Sequence, residues 1–249
     1  MPLPSSASVA RGPRLHDVYD VLRQAILSGQ LRPGETMSET KTAERFGVSR
    51  TPIRDAFRRL SDEGFLRIVP QVGTFVAPIQ LEAVADSQFV RETLECRTIR
   101  LAAERLDPAQ ARGLERHLIE QERAVAANDA EAFFASDEAM HADLIRIAGR
   151  PAVWNLILDV KAQLDRVRCL SLQSADWLSM IFGQHRTIVE RTCAHDADGA
   201  EEAMREHLRT VFAAIERIAA TNSEFFEDNH ANPARRMAPV ADVTPTKHR

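Results

Sequence analysis

Apolar residues recur at three- and four-residue spacing along most of this chain, and the few places where that rhythm fails divide it into two parts. In the first part, Leu15, Val18, Leu22, Ala25 and Ile26 trace the inner stripe of a helix that Gly29 stops. Ser38 is placed to cap a second, short helix running through Phe46 to Gly47, and a third begins at Ser49, two residues later. Two short β-type runs, FLRIV and TFVAP, then flank PQVG, where Pro70 and Gly73 favour a tight connection and hence a small hairpin. Three helices, the last two separated by a tight turn and followed by a hairpin, predict a winged helix-turn-helix over residues 14–78.

After Leu81 the strand signals vanish. The periodicity predicts helices at about 80–106, 108–127, 129–148, 151–172, 174–194 and 198–220, with breaks at Asp107-Pro108, Asn128-Asp129, Gly149-Arg150-Pro151 and HDADG. The fold expected is mainly α: the winged domain, then an all-α bundle over residues 79–228. Residues 1–13 and 229–249, rich in Pro, Ala and polar residues and without periodicity, read as disordered ends.

Composition narrows the class. No apolar run approaches the length of a membrane span, and the N-terminus lacks a signal-peptide core, so a cytoplasmic protein with no membrane partner is expected. Cys96, Cys169 and Cys193 are odd in number and far apart, which favours simple packing. The net charge of -4 conceals a polarity: residues 1–78 hold 11 Lys/Arg against 8 Asp/Glu, and the remainder 21 against 28. A basic first third on an acidic body suits a segment that meets a polyanion.

That basic charge is organised. With Arg50 at the origin of a helical wheel, Arg54 and Arg58 fall at about 40 and 80 degrees and Thr51 at about 100, while Ile53, Ala56, Phe57 and Leu60 occupy the opposite side. The row is either a solvated basic face or a surface for phosphate and base edges, with Ser49 capping the helix whose N-terminal amides face phosphate. The preceding short helix and the following hairpin are what a recognition helix needs around it.

Three segments, YDVLRQAILSGQLRPGETMSE, FGVSRTPIRDAFRRLSDEGFL and VGTFVAP, resemble the DNA-binding domain of the GntR family of bacterial transcription regulators. The helical remainder resembles the FCD effector domain of its FadR-type branch. The resemblance implies a homodimer that binds an inverted-repeat operator in double-stranded DNA, with repression the commoner behaviour. It places Arg50 and Arg54 on guanine edges and backbone, Ser49 and Thr51 near phosphate, Gly73 at the wing tip, and Arg58 on phosphate or in solvent. Thr40 stands where members often carry an arginine. Lys41 beside it would position the domain more than read sequence.

Asp137 and His141, four apart in FFASDEAMHADL, project from one side of one helix, and His185 and His207 lie on two later ones. Alone, the pair is as compatible with ordinary surface or core groups as with a ligand set. The FCD resemblance implies that these four hold a divalent ion, Zn or Ni, with positions left for a small organic or sugar acid. It also places Arg91 in the effector cavity, against an exposed pairing with Glu95, and makes Arg168 a further candidate. His16, His117, His195, His230 and His248 read as surface or tail residues. A metal-dependent hydrolase or lyase using the same four residues is the alternative, but no nucleophile or acid-base pair accompanies them and it leaves residues 15–78 unexplained.

Overall fold

The computed structural model describes residues 15–227; the two ends read above as disordered lie outside them. The N-terminal part is α1 (Leu15–Leu27), β1 (Thr36–Met37), α2 (Glu39–Phe46), α3 (Arg50–Asp62), β2 (Leu66–Val69) and β3 (Gly73–Val76). The sheet has three strands in the order β1-β3-β2, all antiparallel, with Leu66 opposite Val76 and Thr36 opposite Phe75. The two-residue β1 is an addition to the expected hairpin. Neither Thr36 nor Met37 alternates for long enough to announce a strand, and β1 exists because β3 offers it a free edge.

Local chemistry sets the helix-turn-helix. The Ser38 hydroxyl accepts from the Lys41 amide at the start of α2. Gly47 ends α2 at φ 63°, a left-handed conformation that costs a side-chain-bearing residue far more than glycine. Ser49 occupies the N-cap of α3, but its hydroxyl makes no capping bond, so that amide end of the helix stays open. Ile53, Ala56, Phe57 and Leu60 are buried against α1 in one cluster with Val18, Leu22 and Ile26, which fixes the arginine side of α3 outward.

The second part is α4 (Leu81–Arg105), α5 (Pro108–Ala127), α6 (Ala130–Ile147), α7 (Ala152–Val160), α8 (Ala162–Ser171), α9 (Ala175–Cys193) and α10 (Ala197–Thr221), closed by a 3-10 turn at Ser223–Phe225. Asp107 begins α5 with a reciprocal capping box to Gln110, as the Asp-Pro step indicates. One boundary differs from the sequence expectation: residues 151–172 form two helices broken at Lys161. No Gly or Pro marks that break. Its cause is tertiary: the Lys161 ammonium is buried between Glu138 and Asp165, at 2.5 Å from each, and the chain bends to put it there.

The short α8 ties the two parts together. Its Cys169 joins the apolar core of the winged domain, while Leu164 and Val167 pack with α4 and α10 residues in another core. Gln163 donates to the Gly64 carbonyl at 2.9 Å, and a Cβ at Gly64 would meet that same amide nitrogen at 2.9 Å. The glycine therefore serves the turn out of α3, at φ 75°, and the approach of α8 together.

Candidate metal centre and nucleic-acid interface

Three helices of the bundle converge on one point. Asp137 and His141 come from α6, His185 from α9 and His207 from α10, all four buried, with one ligand atom of each within 4.8 Å of the others. Each imidazole is oriented from behind. His141 Nδ1 donates to Glu95 Oε2 at 2.5 Å, His185 Nδ1 to Gln121 Oε1 at 2.8 Å and His207 Nδ1 to Gln184 Oε1 at 3.1 Å. That tautomer leaves every Nε2 as a bare lone pair.

The three lone pairs face one another and a carboxylate. His185 Nε2 lies 3.1 Å from Asp137 Oδ1 and 3.4 Å from His207 Nε2, while His141 Nε2 is 3.6 Å from the same Asp137 oxygen and has no hydrogen-bond partner among the described residues. Burial pushes His207 well below the ordinary histidine range, assisted by the neighbouring His185 and His141, and burial likewise lowers His185. Burial opposes the charge on Asp137, but the Arg168 guanidinium beside it overcomes that and holds the carboxyl well below its usual range. Three imidazoles and a carboxylate, with donor atoms aimed at one point, are a set that can hold a divalent cation.

Arg91 is buried, not exposed: its Nε donates to Glu95 at 2.5 Å, so the pairing expected one turn along the helix exists inside the bundle. Among the described residues its Nη2 has no hydrogen-bond partner, and neither has the Gln88 Nε2 one turn earlier. Both residues line a cavity of about 40 Å³ together with Asp137, Arg168, Thr210 and His207. Arg168 is engaged on every side, with Asp137, with Glu138 at 2.6 Å and with Asp165 at 3.1 Å. From Asp165 the ion pairs continue to Arg23 of α1 at 3.3 Å and from Arg23 to Glu63 at 3.8 Å, where the Tyr19 hydroxyl and Arg59 of α3 also meet the carboxylate. A line of opposite charges thus runs from the histidine cluster to the end of the arginine helix.

On the outer face of the winged domain Ser49, Arg50, Thr51, Arg54, Arg58 and Lys41 are all exposed. Arg50 and Arg54 share the carboxylate of Glu39, whereas Arg58 pairs with none of the described residues. Gly73 opens β3 at the wing. Of the remaining histidines, His117 is paired with Asp143 at 2.9 Å and His195 is exposed, both away from the cluster.

Residues 15–76 match the gntR family of bacterial regulatory proteins, and residues 86–210 match the FCD domain. The chain is 39% identical over 221 residues to an HTH-type transcriptional regulator in an unstable DNA locus of Streptomyces ambofaciens, spanning 88% of this chain and 93% of that one. This protein belongs to the GntR family. It is also 33% identical over 211 residues to the HTH-type transcriptional repressor RspR of Escherichia coli K12, spanning 85% of this chain and 92% of that one. A GntR regulator of Rhodococcus sp. RHA1 has the same fold, with a TM-score of 0.68 at 21% identity over 84% of this chain and 99% of that one. GntR proteins are DNA-binding transcription regulators, which removes the hydrolase or lyase alternative. Among the described residues no helix is long and apolar enough to cross a membrane.

Several residues of this GntR site carry no signal in the sequence. Gln121 and Gln184 hold two of the histidines, yet a glutamine at an arbitrary distance from a histidine is unremarkable until the helices are packed. Glu95 was visible only as a partner for Arg91, and its contact with His141 needs α4 beside α6.

Proposed function

We propose that this GntR protein is a ligand-responsive repressor that binds an inverted-repeat operator as a homodimer. Its winged domain, residues 14–78, is the DNA-contacting part and residues 79–228 the effector-binding and dimerisation part. Arg50 and Arg54 read guanine edges, where a bidentate pair is worth about 1–3 kcal/mol of discrimination. Ser49, Thr51, Arg58, Lys41 and Gly73 at the wing position the domain on phosphate. The name of the relative RspR supports repression.

In the bundle, Asp137, His141, His185 and His207 hold a divalent ion, Zn or Ni, and the effector is a small carboxylate. One observation carries this reading: three imidazoles, each with an acceptor at its Nδ1, turn their Nε2 atoms toward one another and the Asp137 carboxylate. Such an arrangement is repulsive without a cation and favourable with one. The ion supplies coordination positions for oxygen ligands. The unpartnered Nη2 of Arg91 and amide of Gln88 give an incoming carboxylate its remaining hydrogen bonds.

A ligand in that cavity competes with Asp137 for Arg168, and Arg168 is shared with Asp165, which also holds Arg23 of the winged domain. Occupancy therefore alters the pull between bundle and wing, and the effector regulates to the extent that its affinity differs between the two arrangements. Elemental analysis of the purified protein, followed by operator titration with and without metal and candidate organic acids, tests the reading. Absence of bound metal in protein that retains its fold rejects the centre, and absence of a salt-sensitive, sequence-preferring DNA complex rejects the regulator.

A further inference from the structure

The arginines of α3 are not presented free. Arg50 at the start of the helix and Arg54 one turn on both reach to Glu39, the first residue of α2. Arg50 Nη2 donates to Glu39 Oε2 at 3.1 Å. Arg54 donates to the same oxygen from Nη2 at 3.3 Å and to Oε1 from Nε at 3.5 Å, so one edge of its fork lies along the carboxylate. The hydrogen bond from Arg54, and then that from Arg50, lowers the Glu39 carboxyl below the ordinary range. Both guanidinium groups remain open to water, with side-chain exposures of 59% and 64% against 29% for Glu39.

A carboxylate here is a disadvantage for bulk attraction to a polyanion, since it cancels one positive charge of the surface that meets DNA. Stability of the fold does not account for it. Exposed pairs contribute little, and Ser38 already caps α2 with a hydrogen bond. What the carboxylate does provide is direction. A phosphate accepts a guanidinium from many angles, whereas O6 and N7 of guanine accept the fork in one plane only. A free arginine spreads over many rotamers and suits phosphate; one held by its edge is prepared for a base.

The geometry points to Glu39 as a specificity-determining residue that aims the Arg50 and Arg54 forks, sharpening base discrimination while weakening non-specific attraction. The inference rests on the assignment of both arginines as base readers. Two donors share one Glu39 oxygen, so either guanidinium can leave for a base while the other keeps the carboxylate in place.

The test uses the full-length protein, an operator duplex selected from a random-sequence pool, and a scrambled duplex of equal length, titrated by fluorescence anisotropy across a range of salt. In Glu39→Gln, affinity for the scrambled duplex rises and its salt dependence steepens by about 0.9 in the log-log slope. The operator-to-scrambled ratio falls about tenfold, as expected when a base-reading fork loses its orientation. In a background lacking both guanidiniums, Arg50→Ala with Arg54→Ala, the Glu39→Gln change leaves the ratio where it was. An unchanged ratio in the single variant overturns the inference, as does an equal fall in the double-arginine background. Operator affinity that drops with no gain on the scrambled duplex also overturns it, making Glu39 a base contact in its own right. The arginine variants alone report on the underlying assignment: if they keep full preference, it is the reader reading that fails. An unmoved thermal midpoint in Glu39→Gln confirms that the fold is intact.

Discussion

Arginine meets carboxylate on the exposed face of α3 and again inside the bundle, and the two meetings differ in what surrounds them. Outside, Arg50 and Arg54 share Glu39 with their heads in water. Inside, Arg168 is enclosed by Asp137, Glu138 and Asp165, with Asp165 also serving Lys161 and Arg23. Exposed pairs exchange with water or phosphate at little cost, about 0–1 kcal/mol. A buried pair has no such alternative, and removing one partner strands the other. The same chemistry thus makes one region available for exchange with DNA and the other a fixed connection.

The largest effect that separates them is on stability. Asp165→Ala leaves Lys161 and Arg168 short of a buried partner and costs about 3–5 kcal/mol in urea unfolding, whereas Glu39→Ala stays within about 0.5 kcal/mol. Equal effects from the two would erase the distinction. The pH dependence has a definite sign. Burial would raise the Asp165 carboxyl, but Lys161, Arg168 and Arg23 hold it below its ordinary value. Its contribution is complete above the unfolded aspartate pKa of about 3.9 and is lost as pH falls through the lower folded value. Wild type and Asp165→Ala therefore converge in stability under acid.

Next comes the metal. At a free concentration of about 100 times the dissociation constant, a divalent ion stabilises wild type by about 2.7 kcal/mol. In His185→Ala most of that gain disappears and elemental analysis finds less metal, while operator binding without effector persists because His185 is buried in the bundle against Gln121, Asp137 and His207. Retained metal stoichiometry in this variant would break the assignment of the four ligands.

Arg23→Gln sharpens the comparison at the junction. It removes the link between Asp165 and Glu63 in the ion-pair line while leaving the ligand set and the exposed Arg50, Arg54 and Arg58 in place. Metal content holds, and the factor by which effector changes operator affinity shrinks toward one; an unaltered factor shows that coupling travels elsewhere.

How much of this was legible beforehand follows the same division. The arginine row needed only one helix and its neighbours, because the apolar stripe of Ile53, Phe57 and Leu60 fixes which side faces out. Asp137 and His141 are likewise one turn apart on α6, and the remaining two histidines entered through family resemblance. The partners did not. Gln121, Gln184 and Glu95 meet their histidines across 64, 23 and 46 positions respectively. The break at Lys161 comes from two carboxylates on packed helices, not from any local breaker. Glu39 lies 11 and 15 positions from its arginines, close in space only once α2 and α3 cross.

On the DNA surface the expected effects are smaller and separable. Arg54→Ala removes about 1–3 kcal/mol of base discrimination without moving the thermal midpoint. Arg58 gives the finest contrast, since it stands in the same row, exposed, and pairs with none of the described residues. A guanidinium without a carboxylate to aim it suits phosphate, which accepts from many directions and reports nothing of sequence. Arg58→Ala should therefore weaken operator and scrambled duplexes by the same factor. Both salt slopes should become shallower by about 0.9, the signature of one lost phosphate contact. If operator binding alone suffers, Arg58 reads a base despite having no tether, and the link drawn between a shared carboxylate and base reading on this helix is broken.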